Sequence, residues 1–459
     1  MSTTIADATG SNPGVANPYL TGNFGPVAEE RTAFDLPVRG QLPAELSGRF
    51  LRNGPNPRGE TDPATYHWFT GDGMVHGIRL GDGRAEWYRN RWVHSANMAE
   101  RFGETPPPSP YGPEVGSFSA NTNVIGFGGR TFAVVEAGAP PIELTDELET
   151  VGPTDFAGTL EHPFSAHPKL DPITGELHVA AYYWAWGNKI RYLVVGPDGT
   201  VIRNVDVDVP GGPMVHDIGM SESRVALFDL PCLFDLDAAM GGARLPYRWS
   251  DDYQARIGLV SRDHGADDVQ WFDIDPCYVF HPLNSFDRAD GAMVIDAVRH
   301  PKMFDTHLLG PDEGATTLTR WILDPTSGTA TEQLLDDTPC EFPRMDERIQ
   351  GREHRYGYAV RADDQIAHGP TLKFDLVGGA TQVHEHGTGR GGMEPVFVPR
   401  DGSTAEDDGW ILQLVYDATT DGSDLVVYDA QDFTADPVAV VTLPQRVPYG
   451  FHGNWVADA

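Results

Sequence analysis

The chain carries 16 histidines, and four of them stand in unusually specific surroundings. These segments are Ala166-His167-Pro168-Lys169-Leu170-Asp171-Pro172, Met214-Val215-His216-Asp217, Val279-Phe280-His281-Pro282-Leu283-Asn284-Ser285-Phe286-Asp287 and Pro448-Tyr449-Gly450-Phe451-His452-Gly453-Asn454-Trp455. A neutral imidazole offers one lone pair and one N–H, which makes histidine the commonest metal ligand among side chains. Four such ligands would leave a six-coordinate metal two open positions, and open positions mark a site that does chemistry rather than one that only staples a fold. Taken singly, each of these histidines is better read as a packed, hydrogen-bonded core residue. They are spread from position 167 to position 452, so no local motif holds them, and only a fold that gathers distant segments could bring them together.

The elements available for that gathering are short strands. Turn signals at Gly196-Pro197-Asp198-Gly199, Asp324-Pro325-Thr326-Ser327-Gly328, Arg400-Asp401-Gly402 and Thr420-Asp421-Gly422 each separate two β-like stretches. The unit is clearest at Tyr192–Val209, where two apolar runs flank a Pro-Asp-Gly turn and the second run alternates at period two. Helical patterns are brief: Asp235 to Gly241, and Glu143 to Glu149. An all-β sandwich, barrel or propeller follows, with no repeat crisp enough to count blades. A propeller would explain the wide spacing of the histidines, since each blade can send one side chain from an inner strand to the axis. The expected organisation is an N-terminal arm over residues 1–20, rich in Ser, Thr, Ala, Asn and Gly, followed by one large domain over 21–459.

Composition narrows the function classes. Asp and Glu number 67 against 33 Lys and Arg, a net charge of −34 that repels nucleic-acid phosphates. Nucleic acid is therefore excluded as an expected partner. Three widely spaced cysteines (Cys232, Cys277, Cys340) fit neither a disulfide framework nor a thiolate zinc site, and a reducing cytoplasm is expected. Residues 1–20 lack the basic start and apolar run of a signal peptide, and no window reaches the roughly 20 apolar residues of a membrane span.

Together the four histidine segments resemble the iron-binding set of the carotenoid cleavage oxygenase family. Gly48-Arg49-Phe50-Leu51-Arg52-Asn53-Gly54-Pro55-Asn56-Pro57 and Trp68-Phe69-Thr70-Gly71-Asp72-Gly73-Met74-Val75-His76 are similar to N-terminal signatures of the same family, so the likeness runs from about Pro37 to Trp455. It implies a seven-bladed β-propeller with short helices and loops capping one face over an axial metal. It further implies that His167, His216, His281 and His452 bind one Fe(II) per chain. Metal-bound imidazoles donate their other N–H to an acceptor such as a carboxylate, and the family uses three glutamates for this. The matching segments Val135-Glu136-Ala137-Gly138, Cys340-Glu341-Phe342-Pro343 and Met393-Glu394-Pro395-Val396 assign Glu136, Glu341 and Glu394 as partners of His216, His281 and His452, in a pairing left open. The implied activity is cleavage of a conjugated carbon–carbon double bond by dioxygen into two carbonyl products, with no catalytic side chain beyond the metal centre.

Members of the family act on carotenoids, apocarotenoids or phenolic stilbenes, and some relatives isomerise retinyl esters. Stilbene-cleaving members tend to carry a lysine just before the first of the three glutamates; this chain has Val135, and the matching tyrosine region reads Arg101-Phe102-Gly103. The expected substrate is thus an apolar polyene, a carotenoid or apocarotenoid, with a lignostilbene-type dioxygenase, a non-oxidative isomerase and a non-catalytic binding propeller as alternatives. Within the segment Leu230–Met240, residues Leu233, Phe234, Leu236 and Met240 are placed to form an exposed apolar face for peripheral membrane contact, or else to cap the propeller. The expected location is the cytoplasm, peripheral to the membrane.

Other motifs carry less. His384-Glu385-His386 puts two imidazoles on one face of a strand, where a surface metal or, more simply, solvated side chains are the readings. Gly387-Thr388-Gly389-Arg390-Gly391-Gly392 matches a dinucleotide fingerprint but leads into a strand-like run, so it reads as a glycine-rich loop. His76 reads as structural, and the remaining histidines, His300 among them, lie in segments without a signal. No His-Glu-x-x-His helix and no phosphate-binding Gly-x-x-x-x-Gly-Lys segment is present.

Overall fold

The computed structural model describes residues 17–112, 119–161, 164–263, 268–362 and 368–458. Seven sheets of four to six strands follow one another along the chain, together with a two-stranded ribbon. Each is a blade of consecutive antiparallel strands: the second blade runs from Asn123–Phe127 to Thr150–Pro153, the third from Lys169–Leu170 to Val201–Asp208, and the fourth from Ile218–Met220 to Val269–Asp273. The fifth runs from Pro282–Asp287 to Thr329–Asp336, the sixth from Cys340–Arg344 to Ala380–His384, and the seventh from Arg390–Gly392 to Ala439–Thr442. First strands of successive blades touch, as Ile218–Met220 touches Pro282–Asp287, and these strands line the axis.

Burial follows from this radial order. A middle strand is covered on both faces by neighbouring blades, and Leu177–Ala181 is accordingly buried at every position. The outer strand Val201–Asp208 has one face in water and alternates, with Arg203, Val205 and Val207 inward. The alternation seen in the sequence is therefore a mark of the outer rim.

The ring is closed twice. Gly453–Ala457, near the C-terminal end, pairs antiparallel with Gly48–Pro55 in the first blade, setting Gly453 opposite Arg52. Val38–Gly40, from the N-terminal side, pairs with Ala439–Thr442 in the seventh. Both closures use backbone groups that would otherwise form open sheet edges. The chain entering the last strand passes so close to the first blade that a Cβ on Gly54 would sit 2.5 Å from the Cα of Gly450, which explains glycine at both positions.

Two short helices lie on one face. Helix α1 (Ala96–Phe102) is capped by the Ser95 hydroxyl, which accepts from Met98 N–H, and ends on Gly103 at φ 66°. Helix α2 (Leu236–Met240) is capped by Asp235, whose carboxylate accepts from Ala238 N–H, as the Asp235–Gly241 pattern implies. Helix α1 was not expected from the sequence. Conversely, the helix expected at Glu143–Glu149 is absent: Ile142–Leu144 is a blade strand, and a turn follows in which Leu148 N–H returns to Thr145 O. Asn17–Leu20, assigned to the arm by composition, are packed, with the Asn17 amide donating to Tyr66 O and the Tyr19 ring stacked on Trp68; the rest of the expected arm lies outside the described residues. All three cysteines are free and buried. Among the described residues no helix is long and apolar enough to cross a membrane.

Candidate metal centre

The four histidines enter the axis by one rule. Each stands just before the innermost strand of a blade: His281 and His452 immediately before Pro282–Asp287 and Gly453–Ala457, His167 and His216 two residues before Lys169–Leu170 and Ile218–Met220. The glutamates follow a related rule: Glu341 lies in the first strand of the sixth blade, Glu394 between the two inner strands of the seventh, and Glu136 just beyond the second strand of the second blade. Counting the last strand with the first blade, every blade supplies one of the seven residues.

Local backbone aims these side chains. His452 N–H donates to Thr122 O, and its carbonyl accepts from Asn53 N–H. The Asn53 amide in turn donates to the carbonyls of Ala120 and Asn123, and the Asn123 amide holds Ala166 O beside His167. Asn53, taken from the sequence only as part of an N-terminal signature, thus ties two of the histidine segments together. Ala137 (φ 62°) and Phe342 (φ 53°) directly follow Glu136 and Glu341 in left-handed backbone. Strain of this kind in non-glycine residues costs of order 1–3 kcal/mol and gathers at functional sites; at Glu341 it coincides with a break in strand register that turns the carboxylate inward.

The ligand-capable nitrogens of His167, His216, His281 and His452 all lie within 4.8 Å of one another, and all four residues are buried. Three have a carboxylate behind them: His216 Nδ1 lies 2.9 Å from Glu136, His281 Nδ1 2.6 Å from Glu341, and His452 Nδ1 2.8 Å from Glu394. The pairing left open by the sequence is thus in chain order. His167 has no glutamate; the nearest anion to its Nδ1 is Asp217, 3.6 Å away and paired with Lys169 at 2.7 Å.

These contacts assign the tautomers. With each Nδ1–H directed at a carboxylate, Nε2 carries a lone pair. Yet His281 Nε2 lies 3.2 Å from His216 Nε2 and 3.1 Å from His452 Nε2, so acceptors face acceptors. The Nε2 of His167 is buried and, among the described residues, has no hydrogen-bond partner. Buried lone pairs so arranged are unfavourable unless a cation satisfies them. Adjacent imidazoles bound to one ion at metal–nitrogen distances of about 2.0–2.1 Å sit about 3 Å apart, and the residues present fit such an ion. Four imidazoles suit iron, zinc, copper or nickel alike.

Burial and the neighbouring charges act differently on the individual groups of the cluster. Burial drives His167 well below its ordinary pKa, helped by the other three histidines. Burial likewise takes His452 down to about 3 against the pull of Glu394. For His216 burial acts in the same direction, but Glu136 and Asp217 outweigh it and the net shift is upward. Burial would raise Glu341 and Glu394; their histidine partners and, for Glu394, Arg344 and Arg52 reverse this, leaving Glu394 at about 2 and Glu341 lower still.

A cavity of about 640 Å³ opens on the cluster, reaching His216, His281 and His452 between the rings of Phe69, Phe280, Phe342 and Phe451. Val135 and Glu136 line it, and its outer wall includes Phe234, Leu236, Ala239 and Met240. Leu236 and Met240 are exposed, and Phe234 is half-buried with Trp184 stacked on it. Leu233, grouped with them from the sequence, is half-buried beside Gly211 and does not line this cavity, but shares a neighbouring surface hollow with Phe234 and Leu236. A smaller space of about 240 Å³ meets the cluster from the other side, lined by His167, Lys169, Asp217 and Arg344.

Other histidines resolve differently. His76 Nδ1 bonds the Tyr88 hydroxyl at 2.8 Å, a structural role as expected. His384 and His386 form neither a metal site nor a solvated pair: His384 is buried with Nδ1 3.0 Å from Phe433 O, and both ring nitrogens of His386 meet hydroxyls, of Tyr428 and Thr371. His300 bonds Glu341, a contact that nothing in its own segment signals.

Fold and site together define a β-propeller with an axial four-imidazole centre at the foot of an aromatic cavity. The family described as retinal pigment epithelial membrane protein matches residues 24–457. A carotenoid cleavage oxygenase of Mycobacterium tuberculosis is 42% identical, over 96% of this chain and 97% of its own. A carotenoid 9,10(9',10')-cleavage dioxygenase of Crocus sativus is 34% identical, over 96% and 89%. Among solved structures, the lignostilbene dioxygenase of Pseudomonas brassicacearum superposes with a TM-score of 0.87 at 29% identity, covering 96% of this chain and 98% of that one. The chain belongs to the carotenoid cleavage oxygenase family, and it is an enzyme of the dioxygenase type.

Proposed function

We propose that the chain is a non-haem Fe(II) dioxygenase that cleaves a conjugated double bond of a carotenoid or apocarotenoid, with His167, His216, His281 and His452 holding the metal. The observation that carries this reading is the set of four buried histidines whose ligand-capable nitrogens lie within 4.8 Å of one another, three of them held by carboxylates at Nδ1 and reached by an aromatic cavity. Iron, when bound there, supplies the activation of dioxygen without an external reductant. Glu136, Glu341 and Glu394 hold three imidazoles in the ligating tautomer. Phe69, Phe280, Phe342 and Phe451 give an extended polyene a dry surface to lie against and set which bond faces the metal.

Two features support a polyene over a phenolic stilbene. Val135 lines the cavity beside Glu136, and among the described residues no lysine lines it to ionise a phenol. On the outer wall, helix α2 shows Leu236 at 62% and Met240 at 82% exposure, with Trp184 nearby at 53%, beside the cationic Arg244. We read this rim as the place where a membrane-dissolved substrate enters, through peripheral contact.

Anaerobic loading with Fe(II), followed by mass spectrometry of products from a carotenoid, an apocarotenal and a hydroxystilbene under labelled dioxygen, tests the assignment. Labelled carbonyl products from a polyene are expected, formed much faster than any product from the stilbene. Efficient stilbene cleavage overturns the substrate class. An unlabelled isomer as the sole product overturns the oxygenase.

A further inference from the structure

His300 is 2% exposed and sits in the wall of the main cavity. Its backbone is fixed by a reciprocal pair of hydrogen bonds with Tyr278, at 2.8 and 2.9 Å. Its ring is braced edge-on by Phe280, with centroids 5.2 Å apart. From that fixed position Nε2 lies 2.7 Å from Oε1 of Glu341. The other carboxylate oxygen, Oε2, accepts from His281 Nδ1 at 2.6 Å and from Phe342 N–H at 2.5 Å.

Glu341 is supported unlike the other two glutamates. Glu394 has the guanidinium groups of Arg344 and Arg52 at 3.3 and 3.8 Å. Glu136 borders the cavity, its side chain 13% exposed. Glu341 is 2% exposed, and among the described residues its ion-pair partners are His281 and His300. Without His300, one oxygen of this buried carboxylate would lack a donor, and the group could swing away from His281 to find one.

We propose that His300 is a positioning residue for the metal centre: its Nε2–H anchors Glu341, and through Glu341 it fixes the orientation and basicity of the His281 imidazole. This rests on the four-histidine metal site. Outer partners of metal-bound histidines are worth about 10- to 100-fold in metal affinity, and His300 stands one bond further out, acting on the same imidazole. Its absence from any motif is physical in origin, because strand pairing around Tyr278 brings it to Glu341 from 41 positions away.

The test is titration of the metal-free protein with Co(II), read by the visible ligand-field spectrum, in wild type, His300→Leu, His300→Gln, Glu341→Gln and the double variant His300→Leu/Glu341→Gln. His300→Leu is expected to weaken binding about 10-fold and shift the spectrum. His300→Gln, which keeps an N–H donor near the same place, should recover most of the affinity. In the Glu341→Gln background the His300→Leu effect should largely vanish, since residues acting through one another are non-additive. Wild-type affinity and spectrum in His300→Leu, or effects of the two substitutions that simply add, would overturn the proposal while leaving the metal site standing. Failure of wild type to bind Co(II) or Fe(II) would instead bring down the metal reading itself.

Discussion

Two groups of histidines in this molecule look alike in composition and differ in what they leave unsatisfied. His384, the last residue of the outer strand of the sixth blade, and His386, two residues on and beyond it, have the spacing of a metal site, yet His386 spends both ring nitrogens on the hydroxyls of Tyr428 and Thr371. The axial four have no shared spacing at all, and their Nδ1 atoms are occupied or directed outward while the Nε2 atoms meet one another. A candidate metal site is thus marked by buried acceptors without donors rather than by proximity in sequence.

The sharpest way to break this contrast is to remove one member of each group. His281→Ala should abolish metal binding and turnover, because His281 lies between His216 and His452. Deleting Tyr449–Ala459 should do the same and also destabilise the fold, since it removes His452 and the strand that closes the ring. His386→Ala should keep a full complement of metal and lose only about 1–3 kcal/mol of stability, from the hydroxyls left without a partner. Metal analysis and thermal melts separate the cases; metal loss in His386→Ala would erase the distinction.

A smaller effect distinguishes the glutamates. Glu394→Gln and Glu136→Gln should each weaken metal binding by about 10- to 100-fold. Only Glu394→Gln should also destabilise the metal-free protein, by about 3–5 kcal/mol, because it leaves the buried guanidinium of Arg52 without its carboxylate. Denaturant midpoints of the two metal-free variants check this; equal midpoints would mean that Arg52 and Arg344 do not depend on Glu394.

The remaining effect concerns pH and leaves the metal centre aside. Burial lowers His76 and His386 to about 3 and His67 to about 4, from an ordinary value of 6.5. The unfolded chain therefore takes up these protons first as pH falls. Stability should drop below pH 6.5 and go on dropping towards 4, each such histidine adding about 1.4 kcal/mol per pH unit once well below its unfolded value. The melting temperature of metal-free protein, followed from pH 7.5 to 5, should fall; a flat profile would contradict neutral burial of these rings.

The sequence disclosed the residues of the centre better than the scaffold around them. The four histidines and three glutamates were readable through whole-chain resemblance, and helix α2 through its Asp235 cap and Gly241 stop. Helix α1 carried comparable signals in Ser95 and Gly103, but its seven residues are too few for an apolar period to show. Glu143–Glu149 misled because acidic residues at helical spacing also suit an exposed blade edge and turn. The blade number was hidden because the seven sheets share geometry without sharing residues. Contacts such as Asn53 with Asn123 and His300 with Glu341 arise only once distant strands pair, and no local pattern announces them.

In the proposed centre four imidazoles converge on one iron. X-ray absorption of protein loaded anaerobically with Fe(II), with metal counted per chain, addresses it most directly. One iron per chain is expected, in a shell containing four imidazole nitrogens at about 2.0–2.2 Å, with the metal lost on replacing any of His167, His216, His281 or His452 by alanine. Full iron occupancy after removal of one of these four, or a shell dominated by carboxylate oxygen, would contradict it.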